Sequence, residues 1–207
     1  IIVMAITLMP IMNVGGMQLF KISSNDSSEK LLPKSKEISL RLIYVYLSLT
    51  TLCAVTYKIF GMNIFDSLTH SMTTIATGGF SNYNNSIGYF DSLAIEISSM
   101  IFIILGSLPF IAYIKFLSGN KKIFTSDVQI KSFIKIIIFS IIILFTYLLF
   151  QNKDLSLINI RSIFFNVISI LTGTGYVTGD FDGWGNFTLI FFLTLMFIGG
   201  CAGSTTC

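Results

Sequence analysis

Thr73-Thr74-Ile75-Ala76-Thr77-Gly78-Gly79-Phe80 recurs in kind 96 residues later as Ser169-Ile170-Leu171-Thr172-Gly173-Thr174-Gly175-Tyr176. Each stretch is rich in Thr and Gly, ends in Gly-aromatic, and follows about eleven residues suited to a short helix. Glycine admits backbone shapes that other residues resist, so carbonyl oxygens can be turned inward along such a segment. Rings of backbone carbonyls replace the water shell of a cation in selective channels. The pair therefore reads as two walls of an ion-conducting pore.

The rest of the composition agrees with a membrane protein. Hydrophobic residues make up 53% of the 207-residue chain and charged residues only 11%, against about 25% charged in a typical soluble domain. Mean hydropathy is +0.81. Apolar runs at Leu40–Ile59, Leu93–Leu117 and Ile130–Phe150 are each long enough to cross a hydrocarbon core about 30 Å thick at about 1.5 Å per residue, so three crossings are expected.

Charge placement orients these spans. Of thirteen Lys and Arg residues, ten fall in two neighbourhoods, Lys21 to Arg41 and Lys115 to Lys135. Only Lys58, Lys153 and Arg161 flank the other side. The positive-inside rule puts the two basic loops in the cytoplasm, so both Gly-aromatic segments enter from outside. The stretch Phe65 to Ile75 is too short to cross, and the polar, glycine-rich residues after it cannot continue it. A re-entrant half-helix is expected, with its negative dipole end directed at the membrane centre, where it favours a cation. Irregular backbone at that depth is tolerated only when shielded by protein or facing water.

The order of these parts is a repeat, and the expected fold class is an all-α membrane protein with repeated span, pore helix, filter loop and span units. Residues 1–20 read as the last span of an earlier unit and 21–38 as a cytoplasmic linker, with Ser23 to Ser28 its flexible part. Residues 39–118 form one unit, with a pore helix at 65–75 and a filter at 76–80. A cytoplasmic loop at 119–126 leads into a second unit at 127–207, with a pore helix at 160–171 and a filter at 172–176. Leu105-Gly106-Ser107 and Ile198-Gly199-Gly200 correspond at an offset of 93. The last span is expected to break at Gly199, leaving Gly199, Gly200, Ala202, Gly203, Ser204, Thr205 and Thr206 as an unwound loop near mid-membrane. A helix-packing face of small residues is the alternative for that stretch. The chain opens inside an apolar run without an initiator Met and closes within the glycine-rich motif, so a fragment of a longer protein is expected.

Other polar residues invite plainer readings. Asp66 suits the positive end of a helix, and His70 suits packing behind the filter. Asp91, Asp180 and Asp182 read as solvated turn residues, with a cation-concentrating outer mouth as the alternative. Tyr89 and Trp184 fit an interfacial aromatic belt. Cys53, Cys201 and Cys207 show no disulfide or metal spacing, and His70 is the one histidine. No nucleophile–base pair, metal cluster or phosphate loop supports chemistry, so neither enzymatic activity nor a cofactor is expected. A secondary transporter of another cation or small solute, built on broken helices, is the rival function.

Thr73 to Tyr83, Ile87-Gly88-Tyr89-Phe90-Asp91, Val14-Gly15-Gly16-Met17-Gln18-Leu19, Thr172 to Tyr176 and Met196 to Thr205 resemble, in order, motifs of the Trk/Ktr/HKT potassium transporter superfamily. Within it the chain is most similar to the membrane (pore) subunit of bacterial Trk systems. The resemblance implies that four such units surround one central pore, as in potassium channels, and that two of the four filters lie in this chain. It implies potassium, as transported ion, meeting the backbone carbonyls of Thr77, Gly78, Gly79, Gly173, Thr174 and Gly175, with Phe80, Thr172 and Tyr176 supporting them. It implies that Gly199 to Thr206 obstruct the pore as a gate. It further implies a multi-pass protein of the bacterial inner membrane surrounded by lipid, a homodimer, and a cytoplasmic ring of nucleotide-binding regulatory subunits. No nucleic acid partner is expected.

Overall fold

The structure is a computed structural model that describes residues 35–151, 157–179 and 181–206. The expected span at 1–20, most of the linker after it, and Lys153, Asp180 and Cys207 lie outside these residues.

Helix α1 (Ser35–Ile59) opens the first unit and includes the apolar stretch Leu40–Ile59, long enough to cross a bilayer. Its start takes in the last four residues of the expected linker. The short helix α2 (Ile64–Ile75) packs back against α1. Asn63 caps α2 by accepting from the Asp66 amide at 2.7 Å, satisfying an amide that has no partner inside the helix. A 3₁₀ turn at Ser86–Phe90 then leads into α3 (Leu93–Gly106).

The expected straight span at Leu93–Leu117 is broken. Helix α3 stops at Gly106, and α4 (Phe110–Leu117) leaves at 86° to it. Pro109 is the physical reason, because it lacks an amide proton and its ring collides with the carbonyl four residues back. That carbonyl, on Leu105, instead accepts from the Tyr113 hydroxyl at 2.6 Å. The expected cytoplasmic loop at 119–126 contains a four-residue helix, α5 (Ile123–Ser126).

The second unit repeats the first. Helix α6 (Val128–Phe150) is long and apolar enough to cross, and the Asp127 side chain caps it through the amides of Gln129 and Ile130. The short helix α7 (Leu157–Leu171) begins three residues earlier than expected and ends at the position equivalent to the end of α2. A 3₁₀ turn at Asp182–Trp184 precedes α8 (Asn186–Met196), after which the chain unwinds as the sequence predicts.

No strand occurs among the described residues. The molecule is inverted relative to a soluble domain. Leu47, Leu52 and Val55 on α1, and Ile138, Phe139 and Ile142 on α6, face outward. Ser98, Ser99, Ser140 and Asn166 are buried beside Tyr57, Ile75, Ile103, Phe165 and Leu171. Such a surface suits hydrocarbon.

Candidate functional site

The two Thr/Gly segments are built by the same hydrogen bonds at a constant offset of 96. As α2 ends, Ala76 N donates to Met72 O at 3.0 Å, Thr77 N to Thr74 O at 3.1 Å and Gly78 N to Thr73 O at 2.8 Å. As α7 ends, Thr172 N donates to Ile168 O at 3.1 Å, Gly173 N to Ile170 O at 3.0 Å and Thr174 N to Ser169 O at 2.9 Å. The far end is tied equivalently. The Thr73 hydroxyl donates to Phe80 O at 2.9 Å, and the Ser169 hydroxyl donates to Tyr176 O at 2.7 Å.

Backbone angles match as well. Thr77 and Gly79 have φ of 49° and 64°, and their equivalents Gly173 and Gly175 have 72° and 84°. The residues between, Gly78 and Thr174, stay out of the left-handed region. Left-handed backbone is strained for a β-branched residue, at about 1–3 kcal/mol. Thr77 is held there while its partner position is glycine.

The segments also meet each other. A Cβ built on Gly79 would stand 1.9 Å from the Thr174 carbonyl oxygen, so only glycine allows this approach. Gly175 has open space in the same sense. Tyr176 is fully buried, and its hydroxyl reaches α2 of the other unit, hydrogen-bonded to Thr73 Oγ1 and 3.2 Å from His70 O. Beneath it, Thr74 Oγ1 lies 2.9 Å from the Tyr57 hydroxyl, which donates to Ser99 at 2.9 Å. Phe80, the equivalent aromatic, is 78% exposed and has no such anchor among the described residues. Thr172 is buried, 2.8 Å from Thr174 Oγ1.

Asp66 does more than match a dipole. Its carboxylate accepts from Asn82 at 2.9 Å and from Asn63 and Tyr83, each at 2.7 Å. Burial works to raise its pKa, but the bonds from Asn82, Tyr83 and Asn63 outweigh it and hold the carboxyl below 3.8. The same contact with Asp66 pushes the Tyr83 phenol up to about 12. His70 packs behind the segment as expected, fully buried, with Nδ1 2.9 Å from Asp66 O and Nε2 2.9 Å from Ser81 Oγ. The return segment 81–83 is thus clasped to the start of α2.

Asp91 is exposed as a turn residue, yet its Oδ1 lies 3.3 Å from the Arg161 guanidinium. Arg161 Nε also lies 2.9 Å from buried Glu96, a charge contact whose N–H is poorly aligned. This ion pair joins α3 of the first unit to α7 of the second.

Both breaks lie beneath the segments and against each other. Cys201 N donates to Ser107 O at 3.0 Å, Thr205 N and Oγ1 donate to Gly106 O at 3.2 and 2.9 Å, and Phe110 N donates to Gly203 O at 2.9 Å. The carbonyls freed by the break at Pro109 are therefore satisfied by the unwound stretch of the last helix, as backbone at membrane depth requires. Cys53 and Cys201 are free and buried. Among the described residues no three His, Cys, Asp or Glu side chains converge on a metal position.

The TrkH family of cation transport proteins matches residues 1–207. This chain belongs to that family. The Trk system potassium uptake protein TrkI of Halomonas elongata is 35% identical over 207 residues, covering 100% of this chain and 42% of its own. The Trk system potassium uptake protein TrkH of Escherichia coli K12 is 37% identical over 209 residues, covering 99% and 43%. The crystal structure of the potassium transporter TrkH from Vibrio parahaemolyticus matches with a TM-score of 0.81 at 35% identity, covering 100% of this chain and 42% of that one. The TrkH-family chain thus spans about two fifths of the length of these relatives. Two of its described helices are long and apolar enough to cross a membrane, or three with the bent pair α3–α4 taken as one span.

Proposed function

We propose that this chain supplies two of four filter walls in the pore subunit of a Trk-type potassium uptake system of the bacterial inner membrane. The observation that carries the reading is the duplicated hydrogen-bond set, which gives residues 76–80 and 172–176 one backbone shape at the negative ends of α2 and α7. Helix ends of that sign favour a cation, and carbonyls of Thr77, Gly78, Gly79, Gly173, Thr174 and Gly175 supply the oxygens. The relatives named for potassium uptake supply the choice of ion.

A ring of units follows from the aromatic pair. Tyr176 is anchored on the α2 helix of the preceding unit, whereas Phe80 is exposed at the edge where a unit before it would sit. Gly199 to Thr206 form the gate below the filter. The pore subunit works as a homodimer in lipid, and cytoplasmic nucleotide-binding subunits bias the gate through the basic loops around Lys115 to Lys135.

Potassium uptake by the full-length parent in a transporter-deficient cell tests the proposal. Gly79→Ser and Gly175→Ser should each lower uptake or relax discrimination against sodium. Unchanged rate and selectivity in both, at normal membrane abundance, would overturn the filter assignment.

A further inference from the structure

The two walls share a backbone but not a support. Behind the first stand Asp66, His70, Ser81, Asn82 and Tyr83; at the same offset of 96, the second has Ser162, Asn166, Val177, Thr178 and Gly179. Every polar side chain of the first set is engaged with another of the set or with the start of α2. The second set is different. Asn166 is fully buried, and neither its amide oxygen nor its amide nitrogen has a protein partner among the described residues. The Thr178 hydroxyl is also buried and unpaired.

The residues that would engage Asn166 in the manner of the first wall are missing here. Val177 withdraws the hydroxyl that Ser81 offers to His70, and Gly179 withdraws the ring that Tyr83 offers to Asp66. Ser162 lies one turn before Asn166 on the same face of α7, and a Cβ on Gly179 would come 3.1 Å from Ser162 Oγ. The outer loop of the first unit closes this region. Gly88 N donates to Val177 O at 3.2 Å, Val177 N donates to Ser86 Oγ at 3.2 Å, and a Cβ on Gly88 would meet Thr178 O at 2.8 Å.

A buried primary amide presents two donors and a two-sided acceptor, and native proteins seldom leave such groups unpaired. The donor set here is neutral, mixing N–H, O–H and carbonyl oxygen. That chemistry fits water, which gives and accepts, better than an ion.

We propose that Asn166 holds buried water behind the second filter wall, and that this water lets the wall yield where the side-chain clasp makes the first wall stiff. The mechanical half rests on the filter reading above; the hydration site does not. Water is exchangeable and adjusts its hydrogen bonds more freely than packed side chains, so an ion slightly larger than potassium is accommodated at residues 172–176 first.

The test is a high-resolution map of the full-length parent in lipid, with rubidium-to-potassium flux ratios in liposomes. Density within about 3.2 Å of Asn166 Oδ1 or Nδ2, lost in Asn166→Leu, is the expected result. Asn166→His with Val177→Ser, which restores the clasp pair, should lower the rubidium-to-potassium ratio about twofold, the scale of one modest hydrogen bond. A dry Asn166, or one paired with a side chain of another unit, overturns the site. Water present with an unchanged ratio overturns the mechanical role. Water behind the wall with no ion density at the carbonyls would instead sink the filter reading and leave the hydration site standing.

Discussion

Thr206 Oγ1 lies 3.3 Å from Thr77 Oγ1, so the break in the last helix touches the first Thr/Gly segment, the proposed filter wall. The same hydroxyl lies 3.3 Å from Ser107 Oγ, at the break in the first unit. One small side chain therefore connects the filter with both interrupted helices. A loop whose position governs conduction has to make contacts of this kind, modest enough to be exchanged.

Thr206→Val keeps shape and removes the hydroxyl. Each contact is long, so their loss should shift the loop by about 0.5–1 kcal/mol and raise regulator-independent flux roughly two- to fivefold. Deleting two residues within 199–206 should raise it further while leaving ion preference intact. Liposome flux with and without the regulatory subunits measures both. A folded, shortened variant that stays shut alone would place the gate elsewhere.

Gly79 and Gly175 occupy equivalent positions but should respond differently to alanine. At Gly79 the new methyl meets the Thr174 backbone, which cannot move without pulling the second segment with it. At Gly175 the methyl meets nothing, and the cost is the left-handed φ alone, about 1–2 kcal/mol. Thermal unfolding of the full-length parent in detergent should show a larger drop for Gly79→Ala. Equal drops would mean that the close approach to Thr174 relaxes easily.

Much of this arrangement is legible in the sequence because periodicity and repetition are local signals. Helices cover the runs at Leu40–Ile59 and Ile130–Phe150, a short helix precedes each Gly-aromatic segment, and the last helix ends at Met196, three residues before the expected break. The break at 107–109 was written there too. Pro109 sits in an otherwise apolar stretch, and hydropathy, which averages over neighbours, passes across it. The equivalence of Gly106-Ser107 with Gly199-Gly200 was a second signal. Tertiary partners are another matter. Nothing local pairs Tyr57 with Ser99, Asp66 with Tyr83, or Arg161 with Glu96, because those contacts depend on how separate helices pack.

Tyr176→Phe should injure the filter more than Phe80→Tyr. The phenol is buried against α2, and its removal takes a hydrogen bond from Thr73, which keeps Phe80 O, and one from the His70 carbonyl, which keeps Thr74, at about 0.5–1.5 kcal/mol. Phe80 is mostly exposed, so a hydroxyl there displaces little among the described residues. Potassium uptake and unfolding temperature should both fall in Tyr176→Phe. An unaffected Tyr176→Phe would show that ring packing alone positions the second wall.

The clasp at Asp66 makes a prediction about pH. Its hydrogen bonds hold the folded carboxyl below the unfolded aspartate value of about 3.9. A depressed folded pKa contributes stability above the unfolded value and loses it as pH falls through the folded one. Tyr83 works the other way, because its folded pKa is raised to about 12. Its contribution is complete below the unfolded value of about 10 and fades as pH climbs through the folded one. The hold of Asp66 on Asn63, Asn82 and Tyr83 should therefore be level between about pH 4 and pH 10 and weaken outside that window. Asp66→Asn turns one acceptor into a donor facing other donors, which should lower the unfolding midpoint near neutral pH by about 2–4 °C. It should also flatten the acid limb of the profile. Unfolding midpoints of the full-length parent and Asp66→Asn across this range decide the matter, and parallel curves for the two proteins would show that the carboxylate is not what holds residues 81–83 in place.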